Sequence, residues 1–210
     1  MPSGQELPND WKVSTVNSCI EKISTGLNPR DNFELGHGDI QYVTVKNLTS
    51  NGAIDFKNAD TIDKAARAIV HKRSGISIGD VLYASIAPLG RAHLILKEPE
   101  TWDINESVFS IRASNDVISP EFLYCYLKSD YFVKKSTNSS TGSIFKGIRI
   151  NTILDSKIVL PEKKIIDEFS KQVKPLLKMS DTIQTENEKL SSLRGWLLPL
   201  LMNGQATITN

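Results

Sequence analysis

Apolar and polar positions follow two periods along this chain. Residues 11–16 alternate every second position, as a short half-buried strand does. Residues 40–45, 81–86, 92–96 and 108–112 are runs of β-branched and aromatic side chains bounded by turn formers, which predict further strands. Breaker-rich stretches at 24–32, 50–52 and 88–91 predict loops, and 75–80 predicts a turn, a short strand and a second turn. Residues 19–23 predict a brief helical turn, and 62–73 a helix on which Arg67 and His71 share a face. Pro120 opens another helix running to about Tyr131, with Phe122, Leu123, Tyr126 and Leu127 on one side. Mixed strands, helical segments and no repeated βαβ spacing predict an α+β globule over residues 1–160.

The period changes after Pro161. Phe169, Leu176, Ile183, Leu190 and Leu197 recur every seven residues. The positions three before them are Ile166, Val173, Ser180, Asn187 and Arg194. This is a heptad with every d position apolar and an a column that turns polar towards its end. It predicts a long coiled-coil-type helix over 161–210, on the order of 60 Å for about 40 helical residues. Pro175 lies inside the pattern, so one kinked helix and a short helix followed by a long one both fit. The dimerisation candidates are Phe169, Val173, Leu176, Ile183, Asn187, Leu190 and Leu197. A surface helix packed on its own domain is the alternative.

With 40% hydrophobic and 23% charged residues, the composition suits one compact domain plus a helical extension. The N-terminal residues have no basic-then-apolar signal pattern, and no apolar run approaches the ~20 residues that span a bilayer. Cys19 and Cys125 stand alone, as reduced thiols of a cytoplasmic protein would. The net charge of +1 hides an uneven distribution. Lys128, Lys134, Lys135, Lys146 and Arg149 face a single acid, Asp130, within 128–149. The polar stretch 136–143 lies inside that basic segment, where hydroxyls, amides and a glycine suit phosphate or base contacts. A solvated basic loop is the bland alternative.

Catalytic patterns are missing. There is no phosphate-binding Gly-x-x-x-x-Gly-Lys-Ser/Thr loop and no Gly-x-Ser-x-Gly elbow. No methyltransferase Asn/Asp-Pro-Pro-Tyr/Phe motif occurs, and His37, His71 and His93 have no partners at metal spacing. These patterns give no reason to expect catalysis, a cofactor or a metal.

The order of short motifs is more specific than any one of them. Leu7-Pro8-x-x-Trp11 is followed by Ser24-Thr25-Gly26-x-x-Pro29, Gly79-Asp80-Val81-Leu82, Gly90-Arg91 and Asn105-Glu106-Ser107-Val108. Thr141-Gly142-Ser143, Leu160-Pro161 and a helix closing on Leu197-Leu198-x-x-Leu201-Met202-Asn203-Gly204 complete the series. The series resembles the specificity subunit of type I restriction–modification systems, and more narrowly one half of it: one target recognition domain with one spacer helix. Departures are Glu162-Lys163-Lys164-Ile165, where the family often has a second Pro and a Glu-Gln pair, and Pro175.

The resemblance implies a non-catalytic subunit that reads one half of a bipartite site in double-stranded DNA. It implies methyltransferase subunits as partners, with restriction subunits added to them. A 210-residue chain has room for one recognition domain, so pairing of two copies through the helix, giving an interrupted palindrome, is one arrangement. A fragment, or a partner for a different half, is the other. Expected DNA contacts are Lys134, Lys135, Asn138, Ser140, Thr141, Ser143, Lys146 and Arg149, then Lys46, Asn47, Lys72, Arg73 and Arg91. The competing class is a coiled-coil adaptor whose head binds protein.

Overall fold

The computed structural model describes residues 8, 10–138 and 147–205, without the side chain of Asn138. The chain divides into two compact units, Met1–Lys171 and Gln172–Asn210. The first unit is α+β and the second is mostly one helix.

Among the described residues, three sheets build the first unit. β1 (Lys12–Thr15) pairs antiparallel with β9 (Lys157–Leu160), so the first and last strands of the unit close on each other. β2 (Ile20–Thr25), β8 (Val108–Ala113), β5 (Asp80–Ala84) and β6 (Ala92–Leu94) form an antiparallel sheet in that order. β4 (Asp60–Ile62), β3 (Ile40–Val43) and β7 (Trp102–Ile104) form the third, with β3 and β7 parallel.

Burial explains why β5 reads as a continuous apolar run. All five of its residues are buried, as expected of a strand covered on both faces. Leu82 and Ala84 join Val43, Ile54, Ile95 and Ile104 in one core. Tyr83 points the other way and meets Phe132 edge-on at 5.5 Å. That second face is covered by α2 (Pro120–Lys128) and α3 (Asp130–Asn138). Asp63 caps α1 (Lys64–Ser74) by accepting from Ala66 N, and Gly75 ends it in the left-handed conformation at φ 52°.

Several elements depart from the sequence pattern. Residues 76–79 form no strand, because Ile76 turns into the core while Ser77 N donates to the Asp80 side chain. Residues 16–19 take the helical turn, whereas Ile20 already belongs to β2. The polar stretch beginning at Ser136 was expected to be loop, yet α3 carries it to Asn138. Phe132 and Ser136 are buried four apart on one face, and that packing outweighs the stretch's weak helical propensity. β7, β9 and α4 (Ile150–Leu154) have no clear periodic signal. α5 (Lys163–Met202) is a single helix of 40 residues that continues through both Pro175 and Pro199.

Candidate nucleic-acid interface

The family-like motifs prove to be structural joints. Gly26 N donates to Asn105 O at 3.1 Å, and Asn28 Nδ2 to Glu106 Oε1 at 2.8 Å. The Ser-Thr-Gly and Asn-Glu-Ser motifs therefore dock on each other. A Cβ on Gly26 would lie 1.6 Å from the Ile104 carbonyl oxygen, so only glycine permits this approach. Asp80 of the Gly-Asp-Val-Leu motif is buried and gathers Ser77 N, Ser110 Oγ and the Arg112 guanidinium. The favourable bond to Asp80 pushes the Arg112 pKa further up.

The candidate basic residues separate into two groups. At the Ala84 end of β5, Ala84 N donates to Arg91 O at 2.9 Å, and Arg91 Nη1 reaches Val45 O, next to the exposed Lys46. Ile148 N donates to Ser85 O at 2.8 Å, and Gly147 bridges to Ile86. The exposed Arg149 follows directly. Gly90 lies against Val133 of α3, beside the exposed Lys134 and the half-buried Lys135. Segments far apart in sequence, carrying Lys46, Arg91, Lys134, Lys135 and Arg149, thus meet around one strand end.

Lys72 and Arg73 belong to the opposite end. They are exposed on the last turn of α1, just before Gly75, whose carbonyl accepts from Arg112 near the start of β5. The ends of a five-residue strand lie about 13 Å apart. There these cations complement the helix C-terminus.

Asn47 is corrected by the structure. It is 4% exposed, its Oδ1 accepts from Thr44 N and Thr44 Oγ1, and its Nδ2 donates to Asp55 O. Its amide builds the 44–47 turn and does not face solvent. Ser140, Thr141, Ser143 and Lys146 lie outside the described residues, as does the side chain of Asn138.

Phe169 is half-buried and packs edge-on against Phe122 at 5.8 Å, while Ser170 bonds Ser119 at 2.5 Å and Ile166 is buried. The first turns of α5 therefore belong to the globular unit. Beyond them the apolar face is exposed: Leu176 at 62%, Ile183 at 48% and Leu190 at 61%, with Val173 and Leu197 half-buried and Asn187 exposed. A second apolar column outside the predicted heptad, Met179, Leu193 and Leu200, lies three residues after the d positions Leu176, Leu190 and Leu197.

Burial lifts the phenols of Tyr42, Tyr83 and Tyr126 above their ordinary range, and that of Tyr124 to about 12. Among the described residues no group of three or more His, Cys, Asp or Glu could hold a metal ion, and no helix is long and apolar enough to cross a membrane.

An α+β domain with basic segments gathered at one strand end, leading into a long amphipathic helix, defines the class. The chain belongs to the type I restriction modification DNA specificity domain family, whose model matches residues 8–193. It is 26% identical over 201 residues to the type I restriction enzyme HindI specificity subunit of Haemophilus influenzae, covering 95% of this chain and 42% of that protein. It is 23% identical over 219 residues to the MjaIX specificity subunit of Methanocaldococcus jannaschii, covering 97% of this chain and 46% of that protein. The chain therefore spans a little under half the length of these relatives. The fold is similar to that of the crystallised HsdS subunit from Thermoanaerobacter tengcongensis, with TM-score 0.58 and 17% identity over 91% of this chain and 49% of that one. A chain from a solved type I R-M system gives TM-score 0.54 at 17% identity, covering 95% of this chain and 47% of that one.

Proposed function

We propose that this chain is a non-catalytic DNA-recognition half of a type I restriction–modification specificity subunit. The observation that carries the reading is the family match over residues 8–193, joined to the gathering of Lys46, Arg91, Lys134, Lys135 and Arg149 around the Ala84 end of β5. These cations position the phosphate backbone, and each phosphate contact contributes about 0.9 to the slope of log affinity against log salt. Asn138, Ser140, Thr141, Ser143 and Lys146 lie in sequence between Lys135 and Arg149, and in this reading they supply base and further phosphate contacts. Lys72 and Arg73 are not part of this surface, and Asn47 acts within its turn.

Residues 1–160 recognise DNA in this reading, and 161–210 pair with a second copy. The chain works in the cytoplasm with methyltransferase subunits, and through them with restriction subunits. The exposed apolar side chains of Leu176, Ile183 and Leu190 along α5 support the pairing. The test is methylation mapping: the chain is co-expressed with the cognate methyltransferase subunit in a methylation-free host and modified bases are sequenced. An interrupted palindrome is expected. No methylation above the methyltransferase-alone control overturns the recognition reading, and an asymmetric bipartite motif overturns the homodimer.

A further inference from the structure

We propose that the turn at 49–53 is a base-reading element, with Asn51 as the reading side chain and Lys128 as the residue that positions it. The proposal deepens the DNA-recognition reading above and rests on it. It adds a neutral contact to a surface so far described by its cations.

Leu48 and Ile54 are both buried and bridge antiparallel, so the chain leaves the core at one and returns at the other. Between them Thr49 N donates to Ala53 O at 3.0 Å, Ala53 N to Thr49 Oγ1 at 2.9 Å, and Gly52 N to Thr49 O at 3.2 Å. These bonds close a tight turn whose tip, Ser50 and Asn51, is exposed.

Neighbouring elements hold that tip in place. Lys128, the last residue of α2, donates from Nζ to Ser50 O at 3.3 Å. His93 Nδ1 donates to Gly52 O at 2.8 Å. A Cβ on Gly52 would lie 2.5 Å from Tyr124 Oη and 3.5 Å from Ala92 O, so the turn rests directly on α2 and β6. Ala92 pairs with Tyr83 and follows Arg91. The tip therefore stands beside the Ala84 end of β5, where the basic segments gather.

Lys128 differs from the cations of that surface. It is half-buried, its Nζ lies 5.5 Å from the centre of the Tyr124 ring, and burial lowers its pKa. Its ammonium is directed at the Ser50 carbonyl, whereas Lys46, Lys134 and Arg149 are exposed.

Asn51 carries the reading chemistry. Thr49 Oγ1 bonds its Oδ1, which fixes the plane of the amide. Oδ1 keeps a second lone pair, and the Nδ2 donors have no partner among the described residues. A donor and an acceptor side by side on one planar amide match N7 and N6 of adenine in the major groove.

The test repeats the methylation map on the full chain, with the methyltransferase subunit, for Asn51→Ala, Asn51→Asp and Lys128→Met. Asn51→Ala is expected to make one A·T position of the half-site degenerate, lowering discrimination there about tenfold. Asn51→Asp keeps the bond from Thr49 and removes the amide donors, and is expected to change the same position. Lys128→Met retains the length of the side chain without its ammonium. It is expected to relax that position too, while the salt slope of duplex binding stays unchanged. A lysine on a phosphate would instead lower the slope by about 0.9, which would overturn the positioning role. A motif unchanged by both Asn51 variants overturns the reading element and leaves the DNA-recognition reading intact. No methylation with the unsubstituted chain overturns both.

Discussion

Arg112 holds the buried carboxylate of Asp80 through two parallel bonds, Nε to Oδ1 at 2.7 Å and Nη2 to Oδ2 at 2.9 Å. The same guanidinium reaches Gly75 O and Ser77 Oγ. One side chain thereby joins β8, β5 and the exit from α1. Arg112→Ala leaves the carboxylate without its cation. The expected loss is about 3 kcal/mol, the low end for breaking a buried pair, because Arg112 itself is about one-third exposed. Urea denaturation measures it, and a loss below ~1 kcal/mol would show that water replaces the guanidinium.

Gly26→Ala tests the docking of the two family motifs. The new methyl would overlap the Ile104 carbonyl, so the backbone of β7 or of the 24–28 segment must shift. A loss of about 3 kcal/mol is expected, the upper part of the range for overpacking. A fold of unchanged stability would mean the two segments separate freely.

The division of the basic residues is testable by salt titration. Lys46, Arg91, Lys134 and Arg149 replaced together by Ala are expected to lower the salt slope of DNA binding by about 3.6, roughly 0.9 for each of four phosphate contacts. Lys72→Ala with Arg73→Ala is expected to leave it unchanged. Fluorescence anisotropy of a target duplex, with the methyltransferase subunit present, reads both. A larger effect from the α1 pair would move the DNA to the other end of β5.

Alkali should unfold the domain through its tyrosines. Burial raises the phenol pKa values of Tyr42, Tyr83, Tyr124 and Tyr126 in the folded chain, so the folded state holds these protons more tightly than the unfolded one. Stability is then full below pH 10 and falls as pH rises from there; for Tyr124 the window is pH 10 to about 12. Absorbance at 295 nm should rise for these phenols together with the loss of ellipticity. Smooth titration of all tyrosines near pH 10 in a folded chain would refute their burial.

What was legible in the chain alone was whatever depends on neighbours in sequence. The buried run of β5 at 81–84, the capped helix after Asp63, Pro120 opening α2 and the seven-residue repeat to Leu197 all declare themselves locally, because strand and helix periods are short-range properties. The family-like motifs were visible too, but their role was not. Only the fold shows Gly26 against Ile104 and Asn105, and Arg112 on Asp80, because those contacts join residues tens of positions apart. Tertiary packing also decided what local propensity had wrong. A buried face drew Ser136 into α3, and turn bonds took Asn47 out of solvent. The described basic residues illustrate the same limit: their charge is written in the sequence, whereas the end of β5 near which each lies follows from hydrogen bonds and packing contacts between distant segments.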